Sequence, residues 1–210
     1  MAKRSKSSDR WLQRQRRDVF ARKAREDGLT SRAHFKLAQL DKRFKLLRRG
    51  QCVLELGAAP GGWSRYVADR IDPGVLVAVD TRPITAPGWV ARIVGEAGEV
   101  DTDAAIAAAL QTRRCDLVFS DMAPNISGVR AADQAASMGL ADVAARAALS
   151  WLKPGGALVV KLFQGEGVDD WLAQRRTEYA RARLVKPAAS RPDSRELFAV
   201  CLQRGTRGGA

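Results

Sequence analysis

One segment of the sequence suits the binding of a nucleotide-like ligand. In VLELGAAPGGWS (53–64), an apolar strand-like run leads directly into Gly57 and Gly61 and then into a helical segment. Glycine lets the backbone approach a ligand closely, and this strand, loop and helix order is typical of nucleotide sites. The dinucleotide pattern G-x-G-x-x-G would require glycine at Ala59, so nicotinamide chemistry is disfavoured. Taken alone, the loop fits a tight structural turn equally well.

Three charged residues lie at or near the ends of other apolar runs. Asp80 ends VLVAVD, Asp121 follows CDLVFS, and Lys161 interrupts ALVVKLF. Ligands of open parallel sheets bind outside the carboxyl ends of the strands, so Asp80 suits ribose hydroxyls, while Asp121 and Lys161 are candidates to share a site. Buried lysines are rare unless they are paired or functional. The structural alternatives are a Lys161 that reaches solvent at a strand end and an Asp121 that caps a turn.

The elements that must position these residues alternate along the chain from Gln51 onward. Short apolar runs (CVLEL, VLVAV, ARIV, CDLVFS and ALVVKLF) are interleaved with helical segments at 62–71, 102–112, 133–152 and 168–179. This order predicts an α/β fold, a mostly parallel sheet with helices on both faces. RARLVK and RELFAVCL, with SRPDS between them, predict an antiparallel pair that closes the sheet, giving seven strands with an antiparallel last strand.

The predicted domain organisation is a single domain at 31–203 between two appendages. A basic N-terminal arm at 1–30 carries a predicted helix from Ser8 to about Asp27, and a second helix runs from Thr30 or Ser31 to about Phe44. The glycine-rich tail at 204–210 is predicted to be flexible. The turn Pro154-Gly155-Gly156 is expected to separate the helix at 133–152 from its following strand.

The net charge of +13 is concentrated at the two ends of the chain. Residues 1–50 hold 17 Lys and Arg against 5 Asp and Glu, residues 51–170 hold 10 against 15, and residues 171–210 hold 9 against 3. Such a distribution indicates a core that binds a small cationic ligand and ends that bind a polyanion such as RNA or DNA. The alternative is a set of solvated helix faces that keeps the protein soluble.

Composition excludes several classes of protein. With 46% hydrophobic and 28% charged residues, the chain is neither wholly disordered nor collagen-like. It lacks a run of 18 apolar residues and an apolar signal segment, so we expect a cytoplasmic protein without a membrane partner and, by default, a monomer. Cys52, Cys115 and Cys201 stand singly and are predicted to be buried thiols, so no metal site is expected.

Three separated motifs together resemble the FtsJ/RrmJ family of methyltransferases, which includes bacterial enzymes of large-subunit ribosomal RNA. The motifs are GAAPGGW (57–63), SDMAPN (120–125) and VKLFQG (160–165), and the resemblance spans roughly residues 8–203. It implies a Rossmann-like fold that binds S-adenosylmethionine. It also implies 2′-O-methylation of a uridine ribose in the A loop of 23S ribosomal RNA, presented on the large ribosomal subunit.

The resemblance further implies the roles of individual residues. A catalytic tetrad carries over onto Lys36, Asp121, Lys161 and Glu196. Only the resemblance makes Lys36 and Glu196 catalytic candidates. Lys36 lies on a basic helix and Glu196 beside Arg195, so each could otherwise be a surface charge. The implied cofactor-binding residues are Gly57, Gly61, Trp63, Asp80, Glu96 and Asp121. Glu96 stands where the family usually has an aspartate near the adenine.

Two further readings remain open from the sequence. A 2′-O-methyltransferase of the same fold could act on transfer RNA or on a messenger cap. A ribosome-assembly factor could keep the cofactor pocket without turnover, although the presence of all four tetrad residue types disfavours it. For the proton chemistry, a nearby Lys36 cation favours a neutral Lys161, whereas Asp121 and Glu196 favour the charged form, so the sequence does not decide between them.

The arm generates the first prediction. Replacing Arg14, Arg16 and Arg17 with Gln is expected to reduce the slope of log affinity against log salt for RNA, because fewer counterions are released on binding. Filter binding from about 50 to 200 mM salt measures this slope. An unchanged slope would place the RNA elsewhere on the protein.

Overall fold

The strands form one seven-stranded sheet in the order β3-β2-β1-β4-β5-β7-β6. The computed structural model describes residues 33–191 and 193–206. Strands β1 to β6 run parallel to one another, and β7 is antiparallel to both of its neighbours, β5 and β6. The strands are β1 (Cys52–Leu56), β2 (Val75–Asp80), β3 (Ala91–Val94), β4 (Cys115–Ser120), β5 (Leu152–Phe163), β6 (Tyr179–Val185) and β7 (Glu196–Arg204).

Helices cover both faces of the sheet, as the alternation of apolar runs predicts. Two helices pack on one face through one apolar cluster, and three pack on the other face through a second cluster. The first face carries α1 (Ala33–Phe44) and α2 (Gly62–Ile71), and the second carries α3 (Val100–Leu110), α4 (Arg130–Trp151) and α5 (Val168–Glu178). The predicted α/β fold with a mostly parallel seven-stranded sheet and an antiparallel last strand is therefore confirmed.

One local prediction is wrong. The turn at 154–156 does not separate α4 from its strand, because β5 already begins at Leu152, directly after α4. Between the pairs Cys115 to Leu152 and Leu117 to Ala157, β4 advances two residues while β5 advances five, so the proline and glycines form an irregularity inside β5. The positive φ of 76° at Gly155 makes this bulge possible, since glycine has no Cβ to clash there.

Of the other sequence predictions, one is confirmed and several concern residues that the structure does not describe. All three cysteines are free and buried, as predicted. The helix predicted at 8–27, the arm at 1–30, the caps Thr30 and Ser31, and the tail beyond residue 206 lie outside the described residues. Within residues 33–191 and 193–206, no helix combines the length and the apolar character needed to cross a membrane.

An acidic side chain lies inside the central strand β1. Glu55 is 1% exposed, and the hydroxyl Oγ of Ser64 on α2 donates a hydrogen bond of 2.6 Å to its Oε2. Burial raises the pKa of Glu55 to about 8, the Ser64 hydrogen bond opposes this rise, and the nearby carboxylates of Asp121 and Asp80 add to it. Glu55 is therefore mostly a neutral acid at pH 7.

This burial predicts a pH-dependent stability. Between about pH 4.5 and about pH 8, the unfolded chain releases the Glu55 proton while the folded chain retains it, so the free energy of unfolding falls as pH rises. Glu55→Gln is expected to remove this slope, worth about 1.4 kcal/mol per pH unit within the window. Urea unfolding across that pH range, with the exposed Glu99→Gln as control, measures it. Equal slopes for wild type and Glu55→Gln would contradict the neutral acid.

Candidate active site

The candidate site lies at the edge of the sheet where the parallel strands end. Leu56 is the last residue of β1 and pairs with Val79 of β2 on one side and with Ser120 of β4 on the other. The backbone N–H of Asp121 donates a hydrogen bond of 3.0 Å to the carbonyl of Leu56. The loops that follow β1, β2 and β4 therefore meet at one edge, as expected for an open parallel sheet.

The loop after β1 is bound tightly to its neighbours. The N–H groups of Gly57 and Ala58 both donate to the carbonyl of Val79, at 2.9 and 3.1 Å. A Cβ on Gly57 would lie 2.6 Å from the backbone nitrogen of Met122, and one on Gly61 would lie 1.8 Å from the carbonyl oxygen of Thr85. Close approach of three backbone segments thus requires glycine at both positions, whatever ligand the loop binds.

Asp80 lies at the end of β2 with its carboxylate facing this loop. Its Oδ2 accepts a hydrogen bond of 2.9 Å from the N–H of Ala59, and its Oδ1 accepts one of 2.9 Å from the N–H of Arg82. The Asp80 side chain therefore holds the glycine loop against the end of β2. Glu96 lies near Asp80, because the preceding residue Gly95 donates its N–H to the carbonyl of Asp80 at 2.9 Å. The Glu96 side chain is exposed.

Trp63 differs from the others in its orientation. Its side chain is 3% exposed, and its ring packs in the core against Phe119 at 5.3 Å and Phe198 at 5.8 Å between ring centroids. The indole therefore anchors α2 to the sheet. The backbone of Trp63 lies in the first turn of α2, at the end of the helix where the dipole is positive.

Asp121 and Lys161 form an ion pair across neighbouring strand ends. The Nζ of Lys161 lies 3.0 Å from Oδ1 of Asp121 and also donates a hydrogen bond to the backbone carbonyl of Asp121. The Lys161 side chain is 9% exposed and that of Asp121 is 22% exposed. A lysine in the middle of an apolar strand is thus paired, as its burial requires, and does not reach out to solvent.

Lys36 and Glu196 form a second ion pair beside the first. The Nζ of Lys36 on α1 lies 2.5 Å from Oε1 of Glu196 at the start of β7, and both side chains are mostly buried. In the sheet, Glu196 lies opposite Phe163, and Phe198 lies opposite Lys161. Residues separated by 160 positions in the sequence are therefore in direct contact.

The two ion pairs act on one another electrostatically. Burial raises the pKa of Asp121, the cations of Lys161 and Lys36 lower it, and the carboxylate of Glu196 raises it again. A cleft of about 420 Å³ adjoins the second pair, with Lys36 and Glu196 in its wall together with Arg191, Asp193 and Ser194. The four charged side chains thus form one cluster, and its Lys36–Glu196 pair lines the cleft.

The sequence analysis missed the residues that shape the loop after β4. Asp133, in the first turn of α4, accepts hydrogen bonds from the N–H and the hydroxyl of Ser127, at 2.8 and 2.7 Å, and from the N–H of Gly128 at 3.3 Å. These bonds with Ser127 lower the pKa of Asp133. A lone acid in the first turn of an alanine-rich helix was the available signal, because carboxylates there bind exposed N–H groups.

Arg195 has a partner other than its neighbour Glu196. Its guanidinium donates to Oε1 of Gln134 at 2.5 Å and to the carbonyl of Gln164 at 2.8 Å. The N–H of Gln164 donates in return to the carbonyl of Arg195 at 2.7 Å. Arg195 therefore joins the end of β5, the start of β7 and α4, which leaves Glu196 directed to Lys36.

In the part of the chain that the structure describes, no group of three or more His, Cys, Asp or Glu side chains is placed to hold a metal ion.

Comparison with known proteins identifies the family. The model of the FtsJ-like methyltransferase family matches residues 29–204. A ribosomal RNA large subunit methyltransferase E from Hahella chejuensis is 44% identical over 206 residues, covering 98% of this chain and 99% of that protein. The protein of the same description from Stutzerimonas stutzeri is 45% identical, covering 94% and 97%.

Solved structures share the fold. A Plasmodium falciparum protein described as a ribosomal RNA methyltransferase superposes with a TM-score of 0.76 at 23% identity, covering 84% of this chain and 99% of that one. A chain of a fibrillarin/Nop5p complex superposes with a TM-score of 0.56 at 16% identity, covering 82% and 84%. Since the family model and the relatives of 44–45% identity span nearly the whole sequence, the chain belongs to the FtsJ-like methyltransferase family.

Proposed function

We propose that this methyltransferase transfers a methyl group from S-adenosylmethionine to the 2′-hydroxyl of a uridine ribose in the A loop of 23S ribosomal RNA. The observation that carries the proposal is the cluster of Lys161, Asp121, Lys36 and Glu196 beside an open cleft. The curated relatives described as ribosomal RNA large subunit methyltransferase E support the choice of substrate. The reaction is assigned to the cytoplasm and to a monomer acting on the large ribosomal subunit.

The residues at the strand-end edge fit a cationic nucleoside donor. Asp80 and Glu96 follow neighbouring strands and offer carboxylate oxygens to ribose hydroxyls and to the base, while Asp121 adds a carboxylate near the reacting end. Gly57 and Gly61 keep the intervening loop close to the sheet, and the backbone of Trp63 lies at the same edge. S-adenosylmethionine supplies, when bound, a methyl carbon made electrophilic by its positively charged sulfur.

The four charged side chains are assigned to the ribose hydroxyl. Lys161 orients the hydroxyl, and the Lys161–Asp121 pair takes up its proton as the oxygen becomes a nucleophile. A carboxyl whose pKa is raised by burial binds a proton more readily, so Asp121 helps the pair to accept it. Lys36 and Glu196 hold the neighbouring wall of the cleft and tune the charge of Asp121. Much of the acceleration then comes from holding the hydroxyl in line for attack.

The direct test is a single-turnover assay. Protein, labelled S-adenosylmethionine and large ribosomal subunits lacking the modification are mixed, and the methylated nucleotide is mapped. We expect methylation of one A-loop uridine on its 2′-oxygen. Lys161→Ala should slow this step by about 10²- to 10⁴-fold, the usual contribution of a proton-transfer group, while cofactor affinity measured by calorimetry stays nearly unchanged.

Three controls sharpen this assay. Lys42→Ala removes an exposed lysine of α1 and should keep full activity. Lys161→Met keeps most of the side-chain volume and separates lost chemistry from lost packing. Transfer RNA and capped RNA are offered as competing substrates. Methylation of either one in place of the large subunit would overturn the substrate, and full activity of Lys161→Ala would remove Lys161 from the mechanism.

Asp80 yields a prediction about the donor site. Asp80→Asn is expected to weaken the binding of S-adenosylmethionine by roughly 10- to 100-fold, because a charge-assisted hydrogen bond contributes about 1.5 to 3 kcal/mol. Calorimetry of the isolated protein measures this change. Asp69→Asn, an exposed aspartate of α2, is the matched control and should leave the affinity unchanged. Equal affinity for Asp80→Asn and wild type would remove the carboxylate from the donor site.

A further inference from the structure

A second cleft, of about 330 Å³, lies at the opposite edge of the sheet. Its walls come from the beginnings of β4, β5 and β6, from the end of β7 and from the segment after α1. The parallel strands start at this edge and end at the candidate active site. From Glu196 to Gln203 along β7, an extended strand covers about 24 Å, so the two clefts are well separated.

The second cleft is strongly cationic. Four basic side chains line it together with a single carboxylate, that of Asp116: they are Lys45, Arg48, Lys153 and Arg181. Asp116 is itself fully engaged. Its Oδ1 lies 2.6 Å from Nζ of Lys153 and 3.2 Å from Nη2 of Arg48, and its Oδ2 accepts the N–H of Cys52 at 2.9 Å. Asp116 thus fixes two of the cations in place and leaves the cleft with an excess of positive charge.

The other two cations are available to a ligand. Lys45 and Arg181 are exposed, and no hydrogen bond or ion pair connects either side chain to another residue of the described chain. Gly155 and Gly156 in the bulge of β5 line the cleft with backbone alone. The space beside Gly155 is open, since a Cβ there would meet nothing within 4 Å. An extended polyanion can therefore approach the backbone between the two free cations.

The chemistry of these groups favours phosphate. Arginine presents a planar array of donors that matches phosphate oxygens, and lysine adds a mobile point charge. The two edges differ, because at the active-site edge Lys161 and Lys36 are each paired with a carboxylate, whereas the second cleft keeps two cations that are unpaired within the described residues. Residues 51–170 carry a net negative charge, yet they contribute Lys153 to the second cleft.

We propose that this second cleft binds the phosphodiester backbone of a further RNA segment of the substrate particle, away from the methylated nucleotide. The proposal rests on the proposed function, since it takes RNA as the substrate. Binding at both edges would let the protein contact two RNA segments about 24 Å apart, a spacing that a folded ribosomal particle provides. The cleft then contributes to particle affinity and not to the methyl-transfer step.

The test uses the full chain with Lys45→Gln and Arg181→Gln combined. The matched control combines Arg146→Gln and Arg176→Gln, two exposed arginines on α4 and α5 that change the charge equally. Binding to unmodified large subunits and to protein-free 23S RNA is measured against salt concentration, and the single-turnover rate of methylation of large subunits at saturating protein is measured in parallel. Thermal unfolding verifies that both variants are folded, and Lys45→Glu provides a second, charge-reversing variant.

We expect the cleft variant to lower the slope of log affinity against log salt by about 1 to 2 for both large targets, with the control unchanged. The methylation rate of bound large subunits should equal that of wild type, because the second cleft does not contact the methylated nucleotide. A slope equal to that of the control would overturn the proposal. A loss of affinity for the particle but not for protein-free RNA would also overturn it, in favour of an acidic protein partner. These slopes are read from binding, so they decide the proposal even if wild type methylates none of the RNAs, a result that would refute the proposed function instead.

Discussion

The site depends on the seam where β1 and β4 end side by side. At this seam the N–H of Asp121 donates to the carbonyl of Leu56, and the α-carbon of Gly57 lies against the backbone of Met122. A side chain at Gly57 would force the two loops apart. Because one loop carries the glycine segment and the other begins with Asp121, this backbone contact sets the distance between the glycine loop and the charged cluster around Asp121. Close approach of main chain, and not any single side chain, is therefore the constraint on which the rest is built.

The charged cluster shows how a buried lysine is accommodated. Lys161 lies in a strand whose neighbouring residues Val160 and Leu162 are in the core, so an unpaired ammonium there would be strongly disfavoured. Its contacts with the carboxylate and the carbonyl of Asp121 offset that cost. The ion pair of Lys36 and Glu196 likewise offsets the cost of burying these two charges in the wall of the cleft. Each charge needs its partner in order to be buried, and in the proposed reaction the same partners hold and move the proton.

The two edges of the sheet differ in charge, and the difference follows from chain direction. Acidic residues follow the ends of β2 and β4, whereas basic residues occur near the beginnings of β5 and β6. This places carboxylates at the first edge, where the lysines are paired with them, and an excess of positive charge at the second. The proposed cationic donor at the first edge and the proposed RNA segment at the second are thus each matched by charge.

The sequence alone determined the α/β architecture and the position of the residues that end strands. Alternating apolar runs and helices predicted the sheet, and the rule that ligands bind at the carboxyl ends of strands brought Asp80, Asp121 and Lys161 to one edge. These conclusions need only local patterns and chain direction. Lys36 and Glu196 could not be paired from spacing, because their contact joins a helix and a strand separated by 160 residues, and only the resemblance singled them out.

Tertiary packing decided the remaining features. The ring of Trp63 points into the core because Phe119 and Phe198 offer apolar partners there, which the motif does not reveal. The bulge in β5 lies where its register with β4 shifts, so residues 154–156, which predicted a turn, lie inside a strand. The cationic cleft around Asp116 collects side chains from five separate segments. Such features depend on which distant surfaces meet, and that is set by the free energy of the whole fold and not by any local stretch of sequence.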